Sequence, residues 1–160
     1  MFSTPDLKDK YKKEVFQGFK PMKSFGIIDS FFGQIKTVTC HDDNSKVKEI
    51  LNTNGKGKVL VINSNLITHT AMIGDEIAQK AIDNKWNGIF IIGYVRDAEI
   101  LKQMNLGILA LGSTTTKTNK NDRGFFGKDV IFGGVILRED FWIYADKNGW
   151  LVSQKPLKLD

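Results

Sequence analysis

The stretch Gly74–Asp97, GDEIAQKAIDNKWNGIFIIGYVRD, contains one complete helix-to-strand step of a 160-residue chain. Its first half predicts an amphipathic helix, because its apolar residues recur at helical spacing and form one stripe: Ile77, Ala78, Ala81 and Ile82. Its second half contains NGIFIIG, an apolar run typical of a strand buried on both faces. The stretch therefore predicts a helix that packs on a buried strand.

The same alternation continues on both sides of this stretch. Upstream, FFGQIKTVTC and KVLVI read as strands, and Asp43-Asn44-Ser45 can cap a short helix between them that is followed by an NGKGK turn. Downstream, DAEILKQM reads as a helix and GILALG as a strand. A strand–helix–strand–helix–strand series implies crossover connections and at least partly parallel pairing.

The two ends of the chain have a different character. Thr4-Pro5-Asp6 predicts a helix from about residue 5 to 16, since it offers a cap, a first-turn proline and an early acid. After the polar loop STTTKTNKNDRG, the segments DVIFGGVIL and FWIYADKNGWLV predict antiparallel strands joined by turns. We expect residues 1–160 to form one α/β domain with a mixed sheet.

Composition narrows the classes of function. The hydrophobic fraction of 41% and charged fraction of 26% are those of a soluble globular protein. The net charge is +5, but the lysines are scattered among acids and only three arginines occur. A phosphate backbone favours clustered cations rich in arginine, so direct nucleic-acid binding is not expected. A solvated lysine surface is the favoured interpretation, and an acidic partner stays open.

The sequence offers no membrane or disulfide signal. No apolar run has membrane-spanning length, and the N-terminal MFSTPDLKDKYKK lacks an apolar signal segment. The single cysteine, Cys40, can form neither an internal disulfide nor a zinc site. We therefore expect a cytoplasmic protein without membrane association.

Common catalytic and phosphate-binding patterns are missing. His41 and His69 lie on different segments without a third partner, which favours a structural role for both. Walker, Rossmann and kinase signatures do not occur, and Gly55–Lys58 reads as a tight turn.

Two short stretches remain as candidates. Gly74-Asp75-Glu76-Ile77 begins a helix, where free backbone N–H groups can bind an anion. Acids in a first helical turn also suit the helix dipole, and this simpler interpretation is favoured when the stretch is taken alone. Arg96-Asp97 ends a strand, where arginine can grip a carboxylate and aspartate can hold a divalent cation. A salt bridge or a helix cap explains this pair equally well.

The two candidates together carry more weight than either alone. One helix-to-strand step joins them, so both can face one cleft. The combination supplies an oxyanion-binding helix start, a carboxylate clamp and a cation ligand. It suits a small 2-oxo acid bound to a metal.

The spacing of these residues also resembles a known family. Asp75, twenty intervening residues and Arg96-Asp97 match the Asp-x20-Arg-Asp motif of the RraA-like family. That family combines the regulators of ribonuclease E activity with the class II 4-hydroxy-4-methyl-2-oxoglutarate aldolases. The likeness is collinear over nearly the whole chain, and it includes FGQIKTVTCHDDNSKVKEIL, AMIGDEIAQKAIDNKWNGIFIIGYVRD and VIFGGVILREDFWIYADKNGWLV.

The resemblance implies a swivelling, phosphohistidine-domain-like β/β/α fold that assembles as a homotrimer. For the aldolase members it implies a divalent cation, Mg²⁺ or Mn²⁺. Asp97 would bind this metal, and Arg96 would bind the substrate carboxylate and 2-oxo oxygen. Asp75 would lie close by and either orient a metal-bound water or assist proton transfer. Backbone groups of four consecutive residues would contact the substrate: Gly74, Asp75, Glu76 and Ile77.

Two functions from different classes follow from the resemblance. The first is a metal-dependent lyase that cleaves 4-hydroxy-4-methyl-2-oxoglutarate and decarboxylates oxaloacetate, since both reactions leave the same pyruvate enolate. The second is a non-catalytic regulator that binds and inhibits ribonuclease E or an RNA helicase of the degradosome.

The sequence departs from the family pattern beside the candidate site. Many members carry Asp-Gly-Gly-Gly and then paired arginines after the strand that corresponds to KVLVI. Here Asn63–Leu66 takes the place of the glycine stretch, and His69-Thr70 stands where the arginines would fall. This lining is less cationic, which leaves open how a second, distal carboxylate would be recognised.

Overall fold

Four parallel strands form the centre of a mixed sheet in the computed structural model, which describes all 160 residues. The helices are α1 (Thr4–Lys10), α2 (Ser45–Leu51), α3 (Asp75–Asp83) and α4 (Ala98–Leu101). The strands are β1 (Val15–Gln17), β2 (Lys23–Ser24), β3 (Phe31–Thr39), β4 (Lys58–Asn63), β5 (Ala71–Ile73), β6 (Gly88–Val95), β7 (Gly107–Ser113), β8 (Phe125–Phe126), β9 (Val130–Phe132), β10 (Val135–Leu137), β11 (Trp142–Asp146) and β12 (Gly149–Ser153).

Strand order explains where the site can form. The main sheet runs β1-β12-β11-β3-β4-β6-β7-β2, and β3, β4, β6 and β7 pair in parallel. The short β5 also pairs in parallel with β6, at Tyr94 and Val95, just beyond the point where β4 stops pairing at Ile92. The carboxyl ends of all these strands therefore meet at one edge, where ligands of α/β sheets gather.

The sheet is covered differently on its two faces, because alternate strand residues point in opposite directions. One face packs against α2, α3 and α4 through a cluster that includes Val47, Leu51, Ala78, Ala81 and Leu101. The other face packs against the β9–β10 hairpin and Trp150 in a second cluster, to which the hairpin contributes Val130, Phe132, Val135 and Leu137. The predicted α/β domain with a mixed sheet is confirmed, with its layers in β/β/α order.

Most of the predicted elements are present, and two helices are shorter than predicted. The helix predicted to residue 16 ends at Lys10, because Val15–Gln17 pairs with β12 as an edge strand instead. The helix predicted in DAEILKQM covers only Ala98–Leu101, since five residues must then connect it to β7. The prediction had no strand at β5, which has only three residues and depends on pairing with β6. None of the four helices is long enough to cross a membrane.

The polar segment Ser113–Gly124 is fixed against the carboxyl edge of the sheet. The Asp43 carboxylate is buried and accepts hydrogen bonds from the backbone N–H groups of Ser45, Asn121 and Arg123. Burial alone would raise the pKa of Asp43, but these hydrogen bonds outweigh it and lower the pKa to about 2. Asp43 thereby ties the segment to the start of α2.

We predict that Asp43→Asn destabilises the protein by about 2 kcal/mol at pH 7, because an amide nitrogen would face backbone N–H donors in a buried place. A carboxylate whose folded pKa is depressed stabilises the fold above its unfolded pKa, near 4, and loses that effect as pH falls towards the folded value of about 2. The gap between wild type and variant should therefore shrink between pH 4 and pH 2. Urea unfolding followed by fluorescence measures it.

The matched control is Asp129→Asn, which removes a carboxylate that pairs with Arg138 on the surface. Exposed pairs contribute little to stability, so this variant should change the unfolding midpoint much less. Equal effects of the two substitutions would show that Asp43 does not anchor the segment.

Candidate active site

A cavity of about 670 Å³ lies at the carboxyl edge, beyond β5 and β6. It brings together all six residues singled out from the sequence: Gly74, Asp75, Glu76, Ile77, Arg96 and Asp97. Their convergence follows from the fold, because β5 leads into α3 while its neighbour β6 ends at Val95, directly before Arg96. The backbone joins the two elements as well, since the Arg96 N–H donates to the Ile73 carbonyl at 3.0 Å.

Position 74 requires glycine because neighbouring side chains lie too close for a Cβ atom, and not because of its backbone angles. Its φ of −130° and ψ of −160° are extended and open to any residue. A Cβ atom at this position would lie 2.4 Å from Asp97 Oδ2 and 3.3 Å from Arg96 Cγ. The missing side chain therefore lets the Arg96-Asp97 pair pack against the start of α3.

Asp97 connects the two halves of the site. Its Oδ2 accepts the N–H of Asp75 at 3.1 Å, which satisfies one of the free donors at the start of α3. Its backbone is left-handed, with φ +59° and ψ +39°, a conformation that aspartate tolerates better than most residues. The other carboxylate oxygen, Oδ1, has no hydrogen bond or ion pair within the chain and is free for a ligand.

Arg96 offers an available cationic group beside this carboxylate. Its Nε lies 4.0 Å from Asp97 Oδ2, and no other acid approaches the guanidinium within that distance. The Arg96 side chain is 38% exposed. The fork of N–H donors is therefore free to bind a carboxylate from the cavity.

The start of α3 is less open than the sequence suggested. The N–H of Asp75 is bonded to Asp97, and the N–H of Glu76 is bonded at 2.9 Å to the Asp75 side chain. The protein's own carboxylates thus take two of the donors that were expected to be free for an anion. Asp75 keeps its second oxygen free and lies on the cavity wall.

A group of lysines that was not predicted from the sequence lines the same cavity. Lys48 comes from α2, Lys80 from α3, and Lys117 and Lys120 from the polar segment after β7. None of the four forms an ion pair with an acid within 4.0 Å. The sequence contained one signal for this group: Asn44 and Lys48 are four residues apart, so they lie on the same face of α2, and both line the cavity.

Three other polar residues, His69, Glu139 and Cys40, lie outside this cavity. His69 takes part in a separate cluster, in which its Nε2 lies 3.0 Å from Asp42 Oδ2 and the Thr70 hydroxyl donates to Asp42 Oδ1. Glu139 accepts the Thr37 N–H and lies 3.6 Å from the Lys36 ammonium group. The Cys40 thiol is buried, and burial raises its pKa to about 12, which leaves it protonated and unreactive.

The donor set fits Mg²⁺ or Mn²⁺ better than zinc. No group of three histidine, cysteine or acidic side chains is arranged to hold an ion, as a structural zinc site needs. Magnesium commonly takes one or two carboxylates and completes its octahedron with water and substrate oxygens. Asp97 Oδ1, with Asp75 close by, offers that limited set on an open cavity wall.

Comparisons with known proteins agree on one family. Two relatives that carry the provisional name 4-hydroxy-4-methyl-2-oxoglutarate aldolase are 46% identical in Pseudomonas putida and 44% identical in Azotobacter vinelandii. Each alignment covers 99% of this chain and at least 97% of the relative.

Two solved structures match over 99% of the chain. The S-adenosylmethionine:2-dimethylmenaquinone methyltransferase of Geobacillus kaustophilus gives a TM-score of 0.95 at 33% identity and is covered over its full length. The RNA-processing inhibitor RraA of Thermus gives 0.92 at 31% identity, with 96% of it covered. The family model described as "RraA-like: Aldolase/RraA" matches residues 4–152, and the chain belongs to this family.

Proposed function

We propose that the protein is a divalent-metal-dependent lyase that cleaves 4-hydroxy-4-methyl-2-oxoglutarate and decarboxylates oxaloacetate. The observation that carries the proposal is the placement of two free groups side by side, the Arg96 guanidinium and Asp97 Oδ1, on one cavity wall. Relatives 44–46% identical with aldolase names support the same chemistry. Because the fold also occurs in proteins with methyltransferase and inhibitor names, the proposal depends on the site and not on the fold.

Arg96 would bind the carboxylate of the 2-oxo acid and remain close to its 2-oxo oxygen. Negative charge develops on that oxygen as the bond to be broken gives up its electrons. A fixed guanidinium stabilises this charge without reorganising, which is the main way such sites lower a barrier. A divalent cation held by Asp97 would add Lewis-acid polarisation of the same 2-oxo group.

The two reactions share one product fragment, so one site can serve both. In the aldol cleavage the 4-hydroxyl passes its proton to a water molecule and becomes the carbonyl of one pyruvate. The electrons of the C3–C4 bond move into the 2-oxo group, so that the other fragment leaves as a pyruvate enolate. In the decarboxylation CO₂ leaves C3 of oxaloacetate and the same enolate remains. The enolate then takes a proton at C3, and the free oxygen of Asp75 lies on the same wall to orient a water for that transfer.

Assembly as a homotrimer belongs to the proposal. Exposed apolar side chains on the outer face of the β9–β10 hairpin support a subunit contact, because Ile131 and Ile136 pair across the strands there. Ile131 is 79% exposed in the single chain. Phe125 and Phe126 are also exposed, and large apolar residues of this kind are commonly covered in oligomers.

A protein-binding role is the second candidate, favoured by the 31% identity to an RNA-processing inhibitor over 99% of the chain. A regulator that binds ribonuclease E or an RNA helicase by surface contact would not depend on the cavity. Substitution of Arg96 would then leave its inhibitory activity intact while abolishing any turnover. The two roles are therefore separable in one variant.

We predict metal-dependent release of pyruvate from both substrates, followed by coupling to lactate dehydrogenase. A chelator should abolish it, and Mg²⁺ or Mn²⁺ should restore it. Arg96→Ala should lower kcat/KM by at least about 100-fold, as is typical for loss of a group that stabilises an oxyanion. Arg138→Ala is the matched control, since Arg138 pairs with Asp129 outside the cavity. Pyruvate release at the buffer rate, or an Arg96→Ala variant as active as wild type, would refute the lyase.

Gly74→Ala should inactivate the enzyme without unfolding it. The new methyl group would lie 2.4 Å from Asp97 Oδ2, so the carboxylate must move, and displacement of about 1 Å in a site costs about 100-fold in rate. Gly112→Ala is the control, because the three atoms nearest to its methyl group would all belong to the Tyr94 side chain, at 3.2–3.5 Å, and neither residue lines the cavity. Circular dichroism checks the fold of both. Retained activity in Gly74→Ala would show that the close approach to Asp97 is not required.

A further inference from the structure

We propose that Lys117, together with Lys48 and Lys120, binds the second carboxylate of the substrate and makes the site selective for 2-oxo dicarboxylates over 2-oxo monocarboxylates. The inference rests on the proposed function in one respect: Arg96 is taken to hold the 2-oxo acid end. The new element is the opposite end of the cavity, where the sequence suggested no residue to bind the second carboxylate.

The floor of the cavity sets the separation of the two ends. Ala71 and Ile73 of β5 line the floor, and Gly74 with Arg96 lies at its carboxyl end. Lys117 lies beside Ala71, with which it forms a parallel bridge. Three residues of extended chain from Ala71 to Gly74 span about 10 Å. The four-carbon stem of Lys117 can cover much of that distance, which leaves room for a short dicarboxylate.

The backbone that carries Lys117 is held in place on both sides. The Thr116 carbonyl accepts the Ala71 N–H at 2.8 Å. The Thr118 hydroxyl is buried, donates to Asn44 Oδ1 at 2.8 Å and accepts the Asn44 N–H at 3.1 Å. Further along, the Asn121 N–H donates to Asp43. The segment is therefore a fixed wall of the cavity, and its lysines leave from defined positions.

Lys48 faces the same region from α2. It lies one helical turn after Asn44, and its own N–H donates to the Asn44 carbonyl at 3.1 Å. The Asn44 side chain donates in turn to the Met72 carbonyl of β5, at 3.0 Å. Asn44 therefore links α2, β5 and the polar segment. The cavity that Asn44 helps to line is also lined by three lysines without an ion pair: Lys48, Lys117 and Lys120.

The remaining cations near the cavity are less suited to the second carboxylate. Lys80 has Glu76 four residues before it and Asp83 three residues after it on α3, and both acids line the cavity. Acids at these spacings partly neutralise a lysine on a helix surface. His69 is engaged with Asp42 and does not line the cavity. The three lysines would therefore bind the second carboxylate. The sequence left that task unassigned, because Asn63–Leu66 and His69-Thr70 replace the glycine stretch and the paired arginines of many family members.

The test compares 2-oxoglutarate with 2-oxopentanoate, which have the same five-carbon chain and differ in a carboxylate or a methyl group at C5. Isothermal titration in magnesium buffer should show that wild type binds 2-oxoglutarate at least about tenfold more tightly. Lys117→Gln should remove most of this preference, and the Lys48/Lys117/Lys120→Gln variant should abolish it. Affinity for oxalate, which lacks a distal group, should not change. Lys102→Gln, an exposed lysine outside the cavity, is the control.

The outcomes separate this inference from the lyase proposal. Equal affinity of wild type for the two five-carbon acids, or a preference that survives the triple substitution, would overturn the lysine assignment even if pyruvate is released. A preference that depends on Lys117 supports the assignment even if no pyruvate is released. Loss of oxalate binding in the triple variant would also count against it, because it would place the lysines at the 2-oxo acid end.

Discussion

Parallel pairing of β3, β4, β6 and β7 is the constraint on which the rest of this structure depends. It sends these strands out at the same edge, which β5 shares through its parallel pairing with β6, so that the residues after β3, β5, β6 and β7 become neighbours although they are distant in sequence. At that edge the Asp75 N–H donates to Asp97 across a glycine that leaves no side chain in the way. This one contact joins α3 to the end of β6 and leaves Arg96 and a single Asp97 oxygen facing the cavity.

Much of the fold could be predicted because its signals are local. The apolar runs of β3, β4, β6 and β7 and the stripe of α3 need no partner to be recognised. The errors fall on elements that exist through pairing. Val15–Gln17 continues a helical pattern in the sequence, but β12 recruits it as an edge strand. Likewise β5 has three residues, too few for any periodicity, and forms because β6 extends beyond β4.

The residues of the site also fall into two groups, those that local sequence predicts and those that it does not. Gly74, Arg96 and Asp97 were predictable, since a glycine before a helix and a charged pair after a buried strand are local features with a shared edge. The lysines were not, because Lys117 and Lys120 belong to a polar segment whose position depends on Asp43, Asn44 and Thr118. The structure also shows that the start of α3 is a weaker anion-binding site than the sequence suggested. Two of its N–H groups bind carboxylates of the chain itself, which leaves the Arg96 guanidinium as the free donor group beside them.

The central claim is that Asp97 and Arg96 together form one site for a divalent cation and a 2-oxo acid. The most direct measurement is a crystal structure with Mn²⁺ and oxalate, a stable mimic of the pyruvate enolate, with the metal located by its anomalous signal. We expect one manganese ion coordinated by Asp97 and by oxalate, with Arg96 in contact with the oxalate oxygens. Manganese bound elsewhere, or oxalate that touches neither residue, would contradict it.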